Sequence, residues 1–395
     1  MLGAIRVLIA EDSKIISGML NNILANHYRI NVVSLVNNGI DAYKSIISIK
    51  PDFVITEIDL PLMGGIELLK LLKKENIQVN ILVMTSLTKN KDLSSRALEL
   101  GALDIIYKPR NVSADFLKEN VLNKIIEISK NNRVNSLEFV PEANIDYNFN
   151  LLNNSSNKKK VIDESEKTEI DKFDDNVRII PFNQKQVAAA ITKVLKFKFN
   201  TPKLVAIGIS TGGPRALRIM LPSIPADFPL PILISQHIPK DFSSSLISSL
   251  QDICSIKIKE ASLDEELMPS VVYISPGDKN MGIYMDSAGR LKIKFYPDTE
   301  KKFIYTPCVD YLFNTIDDVL TDKAIAIVMT GMGNDGTEGM IKLHNHNNLT
   351  IAQDRASSTV YGMPRSVIEN KAVHLVLSLY DIAEFLIQYM RLKIR

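Results

Sequence analysis

The sequence has little cysteine, little net charge and no long apolar run, and each absence limits what the chain encodes. Cys254 and Cys308 are the only cysteines among 395 residues, which argues against the disulfide framework of an exported protein. A formal net charge of +2 gives no strong bias toward nucleic acid or acidic lipid. The apolar runs are strand-length, well short of the roughly 20 residues that span a bilayer. The first residues resemble no signal peptide. We therefore expect a cytoplasmic protein that neither binds nucleic acid nor inserts into a membrane.

What is present predicts two folded domains and a linker. Residues 1–128 alternate apolar strand patterns with amphipathic segments five times, which is typical of a doubly wound α/β sheet. Residues 129–200 form a largely polar linker, in which we predict one short helix near residues 184–195. Residues 201–395 return to an α/β pattern with a mostly parallel sheet, interrupted by a predicted hairpin over residues 282–295.

Three polar motifs in the last domain each follow an apolar strand. Ser210 lies in Gly-Ile-Ser-Thr-Gly-Gly, His237 in Ser-Gln-His, and Asp335 in Gly-Asn-Asp-Gly. The carboxyl ends of parallel strands meet at one edge of a sheet, so we expect these side chains to converge. A serine becomes a nucleophile when a histidine takes its proton, and a carboxylate orients that histidine. Backbone N–H groups of Thr211 and Met332 are the candidate oxyanion donors.

Each motif also has a simpler interpretation. The glycine-rich turn at Ser210 is equally typical of an anion-binding helix N-terminus, although it lacks the lysine of a P-loop. A lone histidine after a strand is usually structural, and Asp335 could cap a helix. The occurrence of all three motifs at strand ends favours the triad.

The first domain gathers acids, a hydroxyl and a lysine at its own strand ends. Glu11 and Asp12 follow the first strand, Thr85 ends the fourth and Lys108 ends the fifth. Carboxylates beside a lysine outline a site for Mg²⁺ and a phosphoryl group, with Glu11 and Asp12 as the metal ligands.

The first domain resembles the receiver domain of two-component response regulators, which implies a flavodoxin-like fold. At the position where that family carries its phosphorylated aspartate, this chain has Glu57. One extra methylene moves this carboxylate toward Thr85 and Lys108 and spoils its approach to a phosphoryl donor. We expect a receiver that does not cycle and is held partly in an activated-like arrangement by Glu57.

The last domain resembles the catalytic domain of chemotaxis protein-glutamate methylesterases. The matching strings include Ala-Ile-Gly-Ile-Ser-Thr-Gly-Gly-Pro from residue 206, Gln-His-Ile-Pro from residue 236 and Thr-Gly-Met-Gly-Asn-Asp-Gly from residue 330. The resemblance implies that Ser210, His237 and Asp335 are the catalytic triad. Two departures are Cys308, where the family has serine, and Asn347, where the family has a small Ala-Gly turn and where asparagine still tolerates a left-handed backbone.

Together these motifs predict a carboxylic ester hydrolase, and the resemblance implies that it cleaves glutamate γ-methyl esters on methyl-accepting chemoreceptors and also deamidates glutamine. The esterase itself needs no cofactor. A chemotaxis histidine kinase is a further partner implied by the resemblance, although Glu57 argues against phosphotransfer. The alternatives are a catalytically silent regulator that docks on receptors, and a phosphate- or nucleotide-binding α/β protein.

Overall fold

A computed structural model describes residues 4–86, 91–135, 182–297, 303 and 305–394. Most of the predicted linker, including the polar run at residues 153–160, lies outside the described residues. The predicted helix near residues 184–195 is present as a helix over Gln184–Val194. No helix in the described ranges combines the length and the apolar character that crossing a bilayer would need.

The first domain alternates strands and helices, as its apolar pattern predicts. Ser13 and Asn38 accept hydrogen bonds from backbone N–H groups at the starts of its first two helices, which is the usual role of serine and asparagine there. Its elements are β1 (Ile5–Ala10), α1 (Lys14–Ala25), β2 (Ile30–Val36), α2 (Gly39–Ile49), β3 (Phe53–Glu57), α3 (Gly65–Lys74), β4 (Asn80–Ser86), α4 (Lys91–Glu99), β5 (Asp104–Lys108), α5 (Ala114–Leu117), a π-helical turn (Lys118–Leu122) and α6 (Asn123–Asn135).

The second domain begins its described structure at α7 (Gln184–Val194), which packs against the last helix. It continues with β6 (Leu204–Ile209), α8 (Gly213–Met220), a 3-10 turn (Leu221–Ser223), β7 (Ile232–Gln236), α9 (Lys240–Gln251), β8 (Lys257–Glu260), β9 (Val271–Ile274), β10 (Met281–Met285), β11 (Leu291–Phe295), α10 (Val309–Leu320), β12 (Ala324–Val328), α11 (Thr337–Asn345), β13 (Leu349–Gln353), α12 (Met363–Glu369), β14 (Leu375–Leu377) and α13 (Leu379–Ile394). Asn347 has a φ of 61°, so the left-handed turn predicted there is confirmed.

Both main sheets are parallel, and the predicted α/β fold class is confirmed. The first sheet has the order β2-β1-β3-β4-β5 and the second has β14-β13-β12-β6-β7-β9-β8. The hairpin β10-β11 is antiparallel and forms a separate two-stranded sheet. In the second sheet the chain runs outward from β6 through β7 and later returns on the other side through β12. Such a reversal of strand order opens a crevice at the carboxyl ends of the central strands.

The two domains contact each other beside that crevice. Glu99 of α4 forms an ion pair with Arg218 of α8, and Tyr107 of β5 stacks on Phe242 of α9. Met332 and Val360, from loops of the second domain, pack with the apolar core of the first. The first domain therefore lies against the edge of the sheet where Ser210, His237 and Asp335 were expected.

Candidate active site

The three central strands of the second sheet deliver the three predicted catalytic residues to one place. β6 pairs with β7 on one side and with β12 on the other, so the loops that follow these strands are neighbours. Ser210 follows β6, His237 follows β7 and Asp335 lies in the loop after β12. The convergence predicted from the strand ends is therefore present in the structure.

The three side chains form a continuous hydrogen-bonded chain. His237 Nδ1 lies 3.0 Å from Ser210 Oγ, and His237 Nε2 lies 2.7 Å from Asp335 Oδ2. An ionised carboxylate only accepts hydrogen bonds, so in the neutral ring the proton is on Nε2. Nδ1 is then unprotonated and faces the serine hydroxyl as a base. This ring orientation is the reverse of the trypsin-type triad, in which Nε2 faces the serine.

A tight backbone turn holds Ser210 toward the histidine. Its N–H donates to the carbonyl of Thr330, and its own carbonyl accepts from Gly213. Gly212, the N-cap residue just before α8, has a φ of 77°, a conformation that glycine adopts without steric cost. A Cβ on Gly331 would lie 2.8 Å from the Ser210 Cβ, so the loop after β12 presses directly against the serine.

Asp335 lies at the N-terminus of α10 and does not cap α11, the helix that follows it in sequence. Its carboxylate accepts from the N–H of Val309 at 2.8 Å and from the N–H of Asp310 at 3.0 Å. The thiol of Cys308 is a further contact at 3.4 Å. The unsatisfied N–H groups and the positive end of a helix favour an anion at this position. The carboxylate is thus held in place from outside its own loop.

The electrostatics of the site keep Asp335 ionised. Burial raises the pKa of its carboxyl group, but His237 and the N–H groups of Val309 and Asp310 lower it by more, so the pKa lies below its ordinary value. Burial likewise raises the pKa of neighbouring Asp310 to about 6, with the N–H of Gly339 opposing this shift. Of the two neighbouring carboxyl groups, that of Asp335 is therefore the one that stays ionised.

The two candidate oxyanion donors flank the serine. Thr211 follows Ser210 directly, and Met332 follows Gly331, which touches the serine. Among the hydrogen bonds of the described residues, none uses the backbone N–H of Thr211 or Met332. Both groups therefore remain free to donate to a ligand.

Sequence reasoning missed Tyr305, which stacks on the imidazole of His237, with ring centroids 4.9 Å apart and an angle of 11° between the planes. No sequence signal indicated this tyrosine. Cys308, singled out in the sequence as a departure from the family, contacts Asp335 and is buried. Burial, followed by the charge of Asp335, raises the pKa of its thiol, which disfavours the reactive thiolate.

In the first domain, Lys108 joins the two buried acids. Its ammonium group forms ion pairs with Glu57 and with Glu11, the latter at 3.1 Å. Glu57 also accepts from the N–H of Ile58, and Thr85 is buried. Burial lowers the pKa of Lys108, and the two carboxylates raise it by more, so the ammonium is retained. The structure therefore pairs Glu57 with Lys108, and the approach of Glu57 to Thr85 stays a prediction.

Glu11 and Asp12 provide few ligands for a divalent cation. Glu11 is engaged by Lys108, and Asp12 is exposed. In the described ranges, no group of three or more His, Cys, Asp or Glu side chains is arranged to hold a metal ion. The lysine supplies the positive charge that a metal would otherwise bring, which weighs against Mg²⁺ at Glu11 and Asp12 in this arrangement.

The comparisons with known proteins agree with both halves of this description. Residues 7–119 match the family model described as response regulator receiver domain, and residues 205–386 match that described as CheB methylesterase. A protein-glutamate methylesterase/protein-glutamine glutaminase from Desulfotalea psychrophila is 32% identical across 98% of this chain and 99% of its own length. Its counterpart from Thermotoga maritima is 32% identical across 97% and 98%.

Solved structures cover each half separately. The Thermotoga maritima CheB methylesterase catalytic domain is 38% identical over 48% of this chain and 98% of its own, with a TM-score of 0.46. The response regulator domain of CheB from the same organism is 32% identical over 31% of this chain and 94% of its own, with a TM-score of 0.29. The resemblance seen in the motifs is confirmed by the full-length relatives: the chain belongs to the CheB methylesterase family, with a response-regulator receiver domain at its N-terminus.

Proposed function

We propose that this chain hydrolyses glutamate γ-methyl esters on the helices of methyl-accepting chemoreceptors, and that the same site deamidates glutamine. The full-length relatives carry both activities in their names, protein-glutamate methylesterase and protein-glutamine glutaminase. The single observation that carries the proposal is the hydrogen-bonded chain from Ser210 through His237 to Asp335.

The geometry supports a two-step mechanism. His237 Nδ1 takes the hydroxyl proton as Ser210 Oγ attacks the ester carbonyl, and the imidazolium is stabilised by Asp335. The N–H groups of Thr211 and Met332 donate to the oxyanion. The C–O bond to the methoxy group breaks, and His237 returns its proton to release methanol. Water, deprotonated by His237, then attacks the acyl-serine; the C–O bond to Ser210 breaks, His237 returns the proton to the serine oxygen, and a free glutamate is left. With glutamine, ammonia leaves in place of methanol.

Release of methanol from methylated receptor tests this mechanism. We expect Ser210→Ala to reduce the rate by about 10⁴-fold or more, because the residual activity of such sites comes from oxyanion binding alone. Ser223→Ala is the matched control, since this serine is exposed in the turn after α8 and contacts no triad residue. Methanol release that persists undiminished in Ser210→Ala refutes the mechanism.

The same assay decides between this proposal and a catalytically silent regulator that docks on receptors. Binding of the unaltered chain to receptor without any methanol release supports the docking regulator. The complete triad favours the esterase, because a docking protein has no use for a serine hydroxyl aligned on a histidine base.

We further propose that the receiver domain does not cycle through phosphorylation. Glu57 supplies a carboxylate beside Lys108, where the phosphoryl group of a phosphorylated receiver would lie, and the two domains meet through Tyr107, next to Lys108. Incubation with a small phosphodonor and mapping of the label tests this. We expect no acyl phosphate on Glu57, and a label at residue 57 in Glu57→Asp. An acyl phosphate on Glu57, or equal responses of methanol release to the donor in both proteins, overturns the proposal.

The expected partners follow from this assignment. They are the receptor helices outside the lipid and, for the receiver domain, a chemotaxis histidine kinase that binds without productive phosphotransfer. The cytoplasmic location remains a prediction from composition. Mg²⁺ at Glu11 and Asp12 also remains a prediction, and the ion pair of Glu11 with Lys108 weighs against it.

A further inference from the structure

Tyr305 covers one face of the catalytic imidazole. Its ring lies nearly parallel to that of His237, with centroids 4.9 Å apart, and 38% of the residue is exposed to solvent. The other end of the side chain reaches the loop after β12, because a Cβ built on Gly333 would lie 3.2 Å from the Tyr305 hydroxyl oxygen. The tyrosine therefore spans from the histidine to the glycine-rich loop that carries Met332.

The residues that follow Tyr305 are anchored by hydrogen bonds to Asn280 and Asp335. The N–H of Cys308 donates to Asn280 at 2.8 Å, and the following two N–H groups donate to Asp335. Tyr305 thus lies three residues before Cys308, which is held by its hydrogen bond to Asn280.

Stacking supplies a restraint that the hydrogen bonds of His237 lack. Both bonds engage the ring at its nitrogens, at the edge, whereas Tyr305 packs against a face of the ring and so restrains its tilt. Offset-stacked aromatic rings attract each other beyond the effect of the buried area. A flat neighbour fixes the tilt, and with it the direction in which Nδ1 receives and returns a proton.

The same ring borders the space for the leaving group. The imidazolium must deliver its proton to the departing oxygen, so the leaving group lies beside His237 during the reaction. Gly331 lies against Ser210, and the Tyr305 hydroxyl lies against Gly333, so the tyrosine ring stands beside the serine and the histidine. We expect a bulky ring in this position to admit a methoxy group more readily than a larger alkoxy group.

We propose that Tyr305 is a positioning and specificity-determining residue: its ring fixes the tilt of the His237 imidazole and limits the leaving group to methanol or ammonia. This inference rests on the proposed esterase function. It assigns two separable effects to one side chain, a rate effect from the flat ring and a size effect from its bulk.

The test measures kcat and KM of the full-length chain on a receptor peptide that carries either a γ-methyl or a γ-ethyl glutamate ester. Tyr305→Ala is expected to lower kcat on the methyl ester about three- to ten-fold with little change in KM, the size of a lost aromatic pair. It is also expected to reduce the preference for methyl over ethyl, in kcat/KM, about ten-fold, since one methylene in an apolar pocket discriminates by that order.

Two further variants separate the effects. Tyr305→Phe keeps the ring and is expected to retain both kcat and methyl preference, whereas Tyr305→Leu keeps bulk without a flat ring and is expected to lose kcat while retaining the preference. Tyr28→Ala is the matched control, because Tyr28 also stacks on a histidine, His27, at a centroid distance of 4.9 Å, but in the receiver domain. It is expected to change neither quantity.

An unchanged kcat and methyl preference in Tyr305→Ala overturns the inference, as does a loss in Tyr305→Phe equal to that in Tyr305→Ala. Thermal unfolding of each variant identifies any that fails to fold, and the phenylalanine and leucine variants then carry the test. If the unaltered chain releases neither alcohol, it is the esterase proposal that fails, a result distinct from any difference among Tyr305 variants.

Discussion

Replacement of Asp335 by asparagine tests the electrostatic core of the site, because the change removes one charge and almost no volume. The carboxylate accepts from four donors: His237 Nε2 and the N–H of Val309 at Oδ2, and the N–H of Asp310 and the thiol of Cys308 at Oδ1. An amide has one oxygen and one NH₂ group, so it cannot accept at both positions. In either orientation of the asparagine amide, its NH₂ group faces N–H or S–H donors that the carboxylate accepted from.

If the NH₂ group faces His237, the ring must accept at Nε2 and carry its proton on Nδ1, where it no longer serves as a base for Ser210. If the NH₂ group faces Asp310 instead, a buried N–H loses its acceptor, at a cost of about 1–3 kcal/mol in stability. In both cases the imidazolium loses its counter-charge. The expected loss in kcat is about 10⁴-fold, the magnitude found when a triad aspartate is changed to asparagine and the tautomer is wrong.

Methanol release by Asp335→Asn, by Ser210→Ala and by the double variant measures this loss. Residues that act as one unit are not additive, so we expect the double variant to be no slower than Ser210→Ala alone. A rate for Asp335→Asn within about ten-fold of the unaltered chain would refute the reasoning, provided that its unfolding temperature shows a folded protein.

Three other outcomes follow from the same contacts. Gly331→Ala places a Cβ against the Met363 sulfur and 2.8 Å from the Ser210 Cβ, so we expect both side chains to shift and kcat to fall about 100-fold or more in the methanol assay. Cys308→Ser keeps a donor to Asp335 and is expected to retain activity, whereas Cys308→Ala removes the donor and should lower kcat a few-fold. Equal rates for the two variants would contradict the idea that the Cys308 thiol positions the Asp335 carboxylate. Because burial raises the pKa of Asp310 to about 6, the folded chain holds a proton there that the unfolded chain releases near pH 4. The contribution of Asp310 to the free energy of unfolding therefore falls as the pH rises from about 4 to about 6, and denaturant titrations should show this slope in the unaltered chain and not in Asp310→Asn.

The sequence was sufficient to predict that Ser210, His237 and Asp335 converge, because each of them follows an apolar strand. A parallel sheet brings such ends together whatever lies between them, and this is why Ser210 and Asp335, far apart along the chain, could be paired in advance. The left-handed turn at Asn347 was predictable for a local reason, since asparagine tolerates that conformation.

What the sequence did not indicate depends on packing between distant segments. The sequence allows Asp335 to cap its own helix, but its carboxylate faces the N-terminus of α10. No periodicity encodes which helix end meets which loop. The orientation of the His237 ring, the stacking of Tyr305 and the ion pair of Glu57 with Lys108 are likewise set by side-chain geometry in the assembled domain.

The most direct test of the account is to titrate the full-length chain with a fluorophosphonate, which reacts with serines activated by a histidine, while following methanol release from methylated receptor. We predict that one equivalent attaches to Ser210 and that activity is lost in proportion to labelling, with no label in Ser210→Ala. Full labelling of Ser210 with methanol release intact, or loss of activity that follows labelling of another residue, would contradict the central claim.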